Sequence, residues 1–152
     1  MKALKIICVG KIKEKYFNEG IDLYGKEIRR SVPLEILECP DEPTPERASA
    51  AQEEAIRIKE GRRILQKIQD DDHVIALCID GKEYSSPAWA SHMKKVMSSV
   101  AGSLVFVIGG SLGLSDDVVR RADEKLSFSS MTFPHQMMRM ILCEQIAKAL
   151  KI

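Results

Sequence analysis

Two short segments of this chain carry residue types that bind or transform small molecules. Residues 109–113 (GGSLG) follow an apolar run at 104–108, and an acidic segment begins soon after them at Asp116. Residues 129–135 (SSMTFPH) open the last apolar-rich stretch of the chain. Glycine- or serine-rich loops between a strand and a helix commonly form the walls of cofactor pockets in α/β proteins. The two segments therefore predict a small-molecule site.

The glycine segment allows three interpretations. As a nucleotide-binding turn it is a poor match, because it has neither the G-x-G-x-x-G spacing nor the lysine of a phosphate loop. It fits the G-x-S-x-G nucleophile elbow of a serine hydrolase, with Ser111 as nucleophile and His135 as base, although such enzymes need a larger sheet. The acid of that triad would be Asp116, Asp117 or Asp123. The third interpretation is a tight connection from strand to helix, in which the glycines serve only the backbone.

Residues 137–150 predict a helix that is apolar over more than half of its circumference, with Arg139 inside the apolar arc. A helix buried on two sides in so small a protein predicts a second copy of the chain against it, hence a homodimer. Arg139 is then either ion-paired within that interface or a cation that orients substrate at the pocket. His135 is the candidate base, because histidine exchanges protons near neutral pH.

Composition excludes several classes of protein. The 152 residues carry a net charge of +1, so no overall field attracts nucleic acid or membrane, and RNA binding would depend on local clusters. Four cysteines lie far apart and without a C-x-x-C pair, which predicts buried thiols in a reducing cytosol rather than zinc or disulfides. No stretch has the length of a membrane span or the pattern of a signal peptide. We expect a cytoplasmic protein with no metal and no membrane partner.

Strands and helices alternate in the predicted order of elements. Apolar runs predict strands at 4–9, 34–39, 73–79, 104–108 and 126–128. Helical periodicity predicts helices at 14–30, 47–69, 86–99 and 137–150, and a short one capped by Ser115. In the helix at 47–69, the residues expected to face the core are Ala51, Ala55, Ile58, Leu65 and Ile68. This alternation predicts an α/β fold with a parallel-rich sheet covered on both faces.

Four motifs resemble one known family. They are VGKIKEKY at 9–16, IGGSLGLSD at 108–116, ADEKLSFSSMTFPHQMMR at 122–139 and EQIAKALKI at 144–152. Together they are similar to the RlmH family, the large-subunit ribosomal RNA pseudouridine N3-methyltransferases of the SPOUT class. The resemblance covers almost the whole chain as a single domain, 1–152. It implies the SPOUT methyltransferase fold, with a C-terminal deep trefoil knot and the cofactor region at about 73–150.

The resemblance also implies a reaction and its residues. The cofactor would be S-adenosylmethionine, and its methyl group would pass to N3 of a pseudouridine in 23S ribosomal RNA of the assembled ribosome. The implied cofactor contacts are Leu77, Gly109, Phe128, Ser129, Ser130, Met131, Thr132 and Phe133. His135 would take the N3 proton, Arg139 would orient the base or a phosphate, and a homodimer would complete each site. The cations expected to hold RNA are Lys11, Lys13, Lys15, Arg29 and Arg30.

The resemblance includes one departure. Members are expected to continue past the final helix with a tail that bears a tyrosine–histidine pair and a basic residue over the substrate site. The last residue of this sequence is Ile152, and Ala147 and Lys148 stand where relatives often have tyrosine and arginine. A dimer that binds the cofactor with impaired catalysis is therefore a second functional hypothesis.

Overall fold

Five parallel strands with helices on both faces form the part of the chain that the computed structural model describes, residues 1–151. The strands are β1 (Leu4–Val9), β2 (Leu34–Cys39), β3 (His73–Lys82), β4 (Leu104–Ile108) and β5 (Glu124–Leu126). The helices are α1 (Lys15–Arg29), α2 (Ala50–Leu65), α3 (Ser86–Ser99), α4 (Asp116–Arg121) and α5 (His135–Lys151). The predicted alternation and parallel sheet are confirmed. Ile152, the end of the last motif, lies outside the described residues.

The strand order is β2-β1-β4-β3-β5, and each helix that connects two strands crosses the sheet on a defined face. Helices α1, α3 and α5 cover one face, where Ile6 and Phe106 are fully buried. Helices α2 and α4 cover the other face, over Ile7 and Val107. The connections from β1 to β2 and from β3 to β4 run towards the β2 edge over the first face. The connections from β2 to β3 and from β4 to β5 run towards the β5 edge over the second face. All four crossovers therefore have the same hand, as is general for parallel strands. The central strands are apolar throughout because both of their faces are covered.

Serine side chains set the starts of three helices. Ser49 caps α2 in a reciprocal capping box with Gln52, so α2 begins three residues later than predicted, and it ends four residues earlier, at Leu65. Ser85, rather than the predicted Ser86, caps α3 and accepts from the Ala88 amide. Ser115 caps α4, as predicted. β5 lies two residues before its predicted position at 126–128.

The predicted core stripe of α2 is confirmed only at the C-terminal end of the helix and just after it, where Leu65 and Ile68 pack against the core. The buried residues are Ile56, Glu60, Gly61 and Ile64, whereas Ala51 and Ala55 are exposed. The reason is the close approach of α2 to the start of α4, where a Cβ on Gly61 would collide with Ser115. A glycine that admits a neighbouring element has no apolar side chain, so hydrophobic periodicity cannot mark the face that it occupies.

Helix α5 is covered on two sides by its own chain. It packs between α1 and α3, with Tyr24 Oη donating to Glu144 Oε2 (3.4 Å) and Ser86 Oγ donating to Gln145 Oε1 (3.2 Å). The centre of the wide apolar arc that suggested a second copy, including Leu142 and Ile146, is therefore buried within the protomer, while Met138, Met140 and Leu150 are only partly buried. The homodimer stays a prediction, but the burial of α5 no longer argues for it.

The remaining global predictions concern cysteines, membranes and metals. The cysteines are free thiols; Cys8, Cys39 and Cys143 are buried and Cys78 is partly buried. Burial raises the pKa of the Cys8 and Cys143 thiols to about 12, which keeps them protonated and unreactive. Within residues 1–151, no helix has the length and apolarity needed to cross a bilayer. The same residues contain no group of three or more side chains arranged to hold a metal ion.

Candidate cofactor pocket and active site

A cavity of about 670 Å³ opens at the carboxyl ends of β3, β4 and β5. This volume is in the range of sites that hold cofactors. The cavity forms here because the chain leaves β3 towards α3 on one face and leaves β4 towards α4 on the other, which opens a crevice at the edge of the sheet. Its walls are residues 77–79, residues 108–114 and most of residues 126–135, together with Met138.

The glycine segment forms one wall by folding back on itself. The Gly113 amide donates to the Gly110 carbonyl (3.1 Å), and Gly113 has the left-handed φ of 82° that favours glycine. A Cβ on Gly109 would lie 2.8 Å from the Gly113 carbonyl carbon. Gly109 is therefore required by the turn itself, because the backbone at Gly113 comes too close to leave room for a side chain at position 109.

The second wall is the segment between β5 and α5. The Ser127 amide donates to the Lys82 carbonyl, and the Ser129 hydroxyl accepts from the Met131 amide, both at 3.0 Å. These bonds fold the segment over the ends of β3 and β4. Of the eight residues implied as cofactor contacts, the structure brings seven together at the cavity: Leu77, Gly109, Phe128, Ser129, Met131, Thr132 and Phe133. Ser130 is the exception, since its side chain points to solvent at the tip of the turn and does not line the cavity.

His135 lies at the first position of α5 and lines the cavity. Its pKa is lowered, first by burial and then by the nearby Arg139 guanidinium, whereas Asp41 and Glu14 act in the opposite direction. Both dominant causes penalise the charged form of the ring. At neutral pH the imidazole is therefore neutral and has a nitrogen lone pair that can accept a proton.

Arg139 lies one turn after His135 but does not line the cavity. Its side chain is 3% exposed, and its Nη1 donates to Glu38 Oε2 (2.7 Å) while Nη2 donates to the Gly10 carbonyl (3.1 Å). The ion pair considered from the sequence exists, but its carboxylate belongs to β2 of the same chain rather than to an interface. The alternative of direct substrate contact is not supported by this position, because the guanidinium faces the ends of β1 and β2.

The serine hydrolase alternative is wrong in this fold. Ser111 is exposed on the glycine segment, whereas Asp123 accepts from the Val74 amide (2.8 Å) near the amino ends of the strands, at the far end of the sheet from His135. Asp116 and Asp117 are exposed in the first turn of α4, on the face opposite α5. No acid, base and nucleophile are thus brought together.

The two predicted cation clusters lie at opposite ends of α1. Lys11, Lys13 and Lys15 are exposed beside the carboxyl edge of the sheet, where the cavity opens. Arg29 and Arg30 are exposed at the other end of this helix, about 20 Å away at 1.5 Å per residue. Only the lysine cluster is therefore close enough to act together with the cavity.

Sequence reasoning missed several residues around the pocket. Ile79 lines the cavity and is 55% exposed, whereas the apolar pattern predicts it only as the last residue of a strand; β3 continues to Lys82. Glu14, whose Oε2 is buried without a hydrogen-bond partner, and Asp41 belong to the electrostatic surroundings of His135. Both lie more than ninety positions from that histidine in the sequence, so no local pattern connects them with it.

Comparison with known proteins gives a consistent result. The chain matches the family model described as "Predicted SPOUT methyltransferase" over residues 1–152. It is 53% identical to the ribosomal RNA large subunit methyltransferase H of Clostridioides difficile and 50% identical to that of Lactiplantibacillus plantarum. The protein of the same name from Bacillus cereus is 48% identical. Each alignment covers 149 residues, 98% of this chain and 94% of the relative. The chain therefore belongs to the SPOUT methyltransferase family and is a methyltransferase.

Proposed function

We propose that this protein transfers the methyl group of S-adenosylmethionine to N3 of a pseudouridine in large-subunit ribosomal RNA. The observation that carries this proposal is the cavity at the ends of β3, β4 and β5, which joins seven of the eight implied cofactor contacts to a neutral histidine. The relatives with about 50% identity are named for methylation of the large-subunit RNA, which supports the same substrate here.

The residues of the cavity suit an adenosyl group. Leu77, Leu126 and Phe128 offer apolar surface to an adenine ring, and the backbone of 109–114 offers amides and carbonyls to its polar edge. The cofactor supplies an electrophilic methyl group on a sulfonium. The remaining task of the protein is alignment, because holding two reactants in line accounts for much of the acceleration of a displacement.

His135 is proposed as the general base. Methyl transfer to N3 would require that N3 give up its proton, and a neutral imidazole at the cavity can take that proton. Arg139 is proposed as a positioning residue, because it anchors the first turn of α5 to β1 and β2 and disfavours the charged form of His135.

We further propose that the segment between β5 and α5 is threaded through the connection from β3 to α3 as a trefoil knot. The support is that the two segments lie against each other where they leave the sheet: the Ser127 amide donates to the Lys82 carbonyl (3.0 Å), and Lys82 pairs with Leu126 beyond a register shift between β3 and β5. Lys82 precedes the connection, and Leu126 precedes the segment that reaches α5. A crystal structure of the S-adenosylmethionine complex tests this by the path of residues 127–134, which must pass through the loop formed by residues 79–86.

We also propose that the protein works as a homodimer on the assembled ribosome in the cytoplasm, where its RNA substrate is found. Sedimentation at micromolar concentration tests the dimer, and a monomer would overturn that part. The alternative is a dimer that binds the cofactor but has impaired catalysis. Single-turnover methylation of ribosomes distinguishes this alternative from an active enzyme. Detectable methylation of N3 supports the enzyme, whereas cofactor binding without any methylation supports the impaired form.

Calorimetry with a matched pair of variants tests the cofactor site. Thr132 and Ser130 are both exposed and lie in the same turn, but only Thr132 lines the cavity. We expect T132R to abolish S-adenosylmethionine binding by filling the cavity and S130R to bind like the wild type. No binding by the wild type, or equal binding by both variants, would contradict the proposed site.

A further inference from the structure

We propose that residues 11–16, named the lysine loop, form the surface on which the RNA strand lies beside the cavity, with the ring of Tyr16 as a stacking platform for an unstacked base. This inference rests on the proposed function, since it names the part of the chain that receives the RNA. Sequence reasoning singled out the lysines of this loop but not the tyrosine.

The lysine loop presents its cations to solvent. Lys11 and Lys13 are exposed, while Ile12 between them is 8% exposed and belongs to the core under α1. Glu14 follows with an extended backbone (φ −76°, ψ 122°) at the position just before α1. Lys11 and Lys13 therefore both face solvent, on either side of the buried Ile12.

The loop is also held in place before any partner binds. Asn18 Nδ2 donates to the Ile12 carbonyl (3.1 Å), and Arg139 Nη2 donates to the Gly10 carbonyl (3.1 Å). These two bonds fix the loop to α1 on one side and to α5 on the other. A surface that is already ordered loses less conformational entropy on binding.

Tyr16 is exposed but supported from behind. Its side chain is 65% exposed, and its ring packs against Phe17 with the centroids 4.5 Å apart at 60°. Phe17 is 7% exposed and anchored in the core, so it holds the neighbouring ring in place. Exposed aromatic rings that stack on unpaired bases are the common means by which proteins hold single-stranded RNA.

Two of the three lysines of this surface have no ion-pair partner among the described residues. Lys15 lies 3.8 Å from Glu19, but neither Lys11 nor Lys13 has an ion-pair partner within residues 1–151. In a chain of net charge +1, two unpaired cations beside an aromatic ring are a local feature that complements phosphates. This composition favours RNA over a protein partner, which would need more apolar surface at the centre of the contact.

The lysine loop leaves the sheet next to the cavity. A Cβ on Gly110, in the cavity wall, would lie 3.2 Å from Val9 Cγ1, and Lys11 follows Val9 by two residues. The bond from Arg139 to the Gly10 carbonyl joins the same loop to the turn of α5 that begins with His135. An RNA strand held by Tyr16 and the lysines is therefore positioned to place a nearby nucleotide in the cavity.

Fluorescence anisotropy with a labelled RNA of about twelve uridines tests the inference on the full chain. We expect Y16A to weaken binding at least about fivefold, the lower end of what one stacked base contributes, and Y16W to bind like the wild type. Replacing both lysines (K11A/K13A) should weaken binding and reduce the slope of log K against log salt by about 1.4. L23A is the matched control, because Leu23 is an exposed apolar residue (58%) two turns further along α1.

The outcomes separate this inference from the proposed function. S-adenosylmethionine binding is measured by calorimetry on the wild type and on every variant. If the wild type does not bind S-adenosylmethionine, the proposed function is overturned. The RNA-binding measurement would still test the role of the lysine loop. Unchanged RNA binding by Y16A, or no binding of the RNA by the wild type, overturns the inference. Equal weakening by L23A and Y16A overturns it as well, since it indicates a broad apolar contact of the kind proteins use. Weaker ribosome binding with unchanged binding of the RNA assigns the surface to a ribosomal protein instead.

Discussion

The three histidines of the chain occupy two different regions, and the difference separates structural from chemical use of the same side chain. At the start of β3, His73 Nε2 lies 2.5 Å from Glu124 Oε2, and His92 Nε2 on α3 lies 2.5 Å from Glu124 Oε1. Tyr84 stacks on the His92 ring, with the centroids 5.3 Å apart. At the carboxyl edge, His135 lines the cavity and its ring makes no hydrogen bond to the side chains or backbone of residues 1–151.

The comparison shows what a histidine ring needs in order to accept a proton from a substrate. In the first region one carboxylate occupies a nitrogen of both rings, and the result is a connection between β3, β5 and α3. In the second region the charge that acts most strongly on the ring is the cation Arg139, which is itself held by Glu38. A ring with no hydrogen-bond partner and a lowered pKa can accept a proton from substrate, whereas a ring that already shares a carboxylate serves to hold elements together.

The largest expected effect is on catalysis at His135. Replacing it with asparagine (H135N) should lower the single-turnover rate of ribosome methylation by about a hundredfold or more, because the base that takes the N3 proton is lost. The free energy of unfolding and the affinity for S-adenosylmethionine should change little. H92N is the control from the other region: its rate should be that of the wild type, and its stability should fall. Equal rates for both variants would remove the proposed distinction between the two regions.

Arg139 should give the next largest effect, on stability. R139M leaves Glu38 and the Gly10 carbonyl without their donor, and we expect a loss of about 1–3 kcal/mol in urea unfolding. The loss is limited because the Glu38 side chain is 40% exposed and can be rehydrated. R120M, which breaks the exposed pair between Arg120 and Asp117, should cost less than about 0.5 kcal/mol.

The same variant should shift the pH dependence of the reaction. Arg139 lowers the pKa of His135, so its removal moves that pKa upwards. Because the base must be neutral, the rate rises as the pH passes through this pKa, and the acid limb of the pH–rate profile should move to higher pH in R139M. An unmoved acid limb would show that Arg139 does not act on His135.

A smaller effect is expected in the region that holds His73 and His92. E124Q keeps the size of the side chain but removes the charge that both rings face, and we expect a loss of about 1–2 kcal/mol in urea unfolding with an unchanged methylation rate. E83Q, at an exposed position before α3, is the control and should be neutral. A large loss of activity in E124Q would mean that this region does more than hold the fold.

The smallest expected effect is the contribution of His135 to the pH dependence of stability. Its folded pKa lies below the ordinary value of 6.5, so the unfolded chain binds the proton more readily. The free energy of unfolding is unaffected above that value and decreases as the pH falls from 6.5 towards the folded pKa. H135N should therefore lose less stability than the wild type between about pH 7.5 and about pH 5. Parallel losses in the two proteins would contradict the direction of the shift.

Local patterns predicted most of the elements and both walls of the pocket. Apolar runs marked β1, β2 and β4 at their observed bounds, and Ser115 marked the start of α4. The polar segments at 109–113 and 129–135 were recognisable because each follows a strand and precedes a helix. The core face of α2 was mispredicted except at its C-terminal end because Gly61, rather than an apolar side chain, makes the closest approach to α4.

The sequence by itself determined the order of strands and helices, the start of α4 and the family, because these depend on residues a few positions apart or on continuous motifs. Only the tertiary structure decided the strand order β2-β1-β4-β3-β5, the burial of α5 between α1 and α3, and the pairing of Arg139 with Glu38, 101 residues away. It also left Ser130 out of the cavity lining and the Tyr16 side chain 65% exposed. These features depend on which apolar faces meet, and that choice is made by the packing of the whole chain rather than by any local segment.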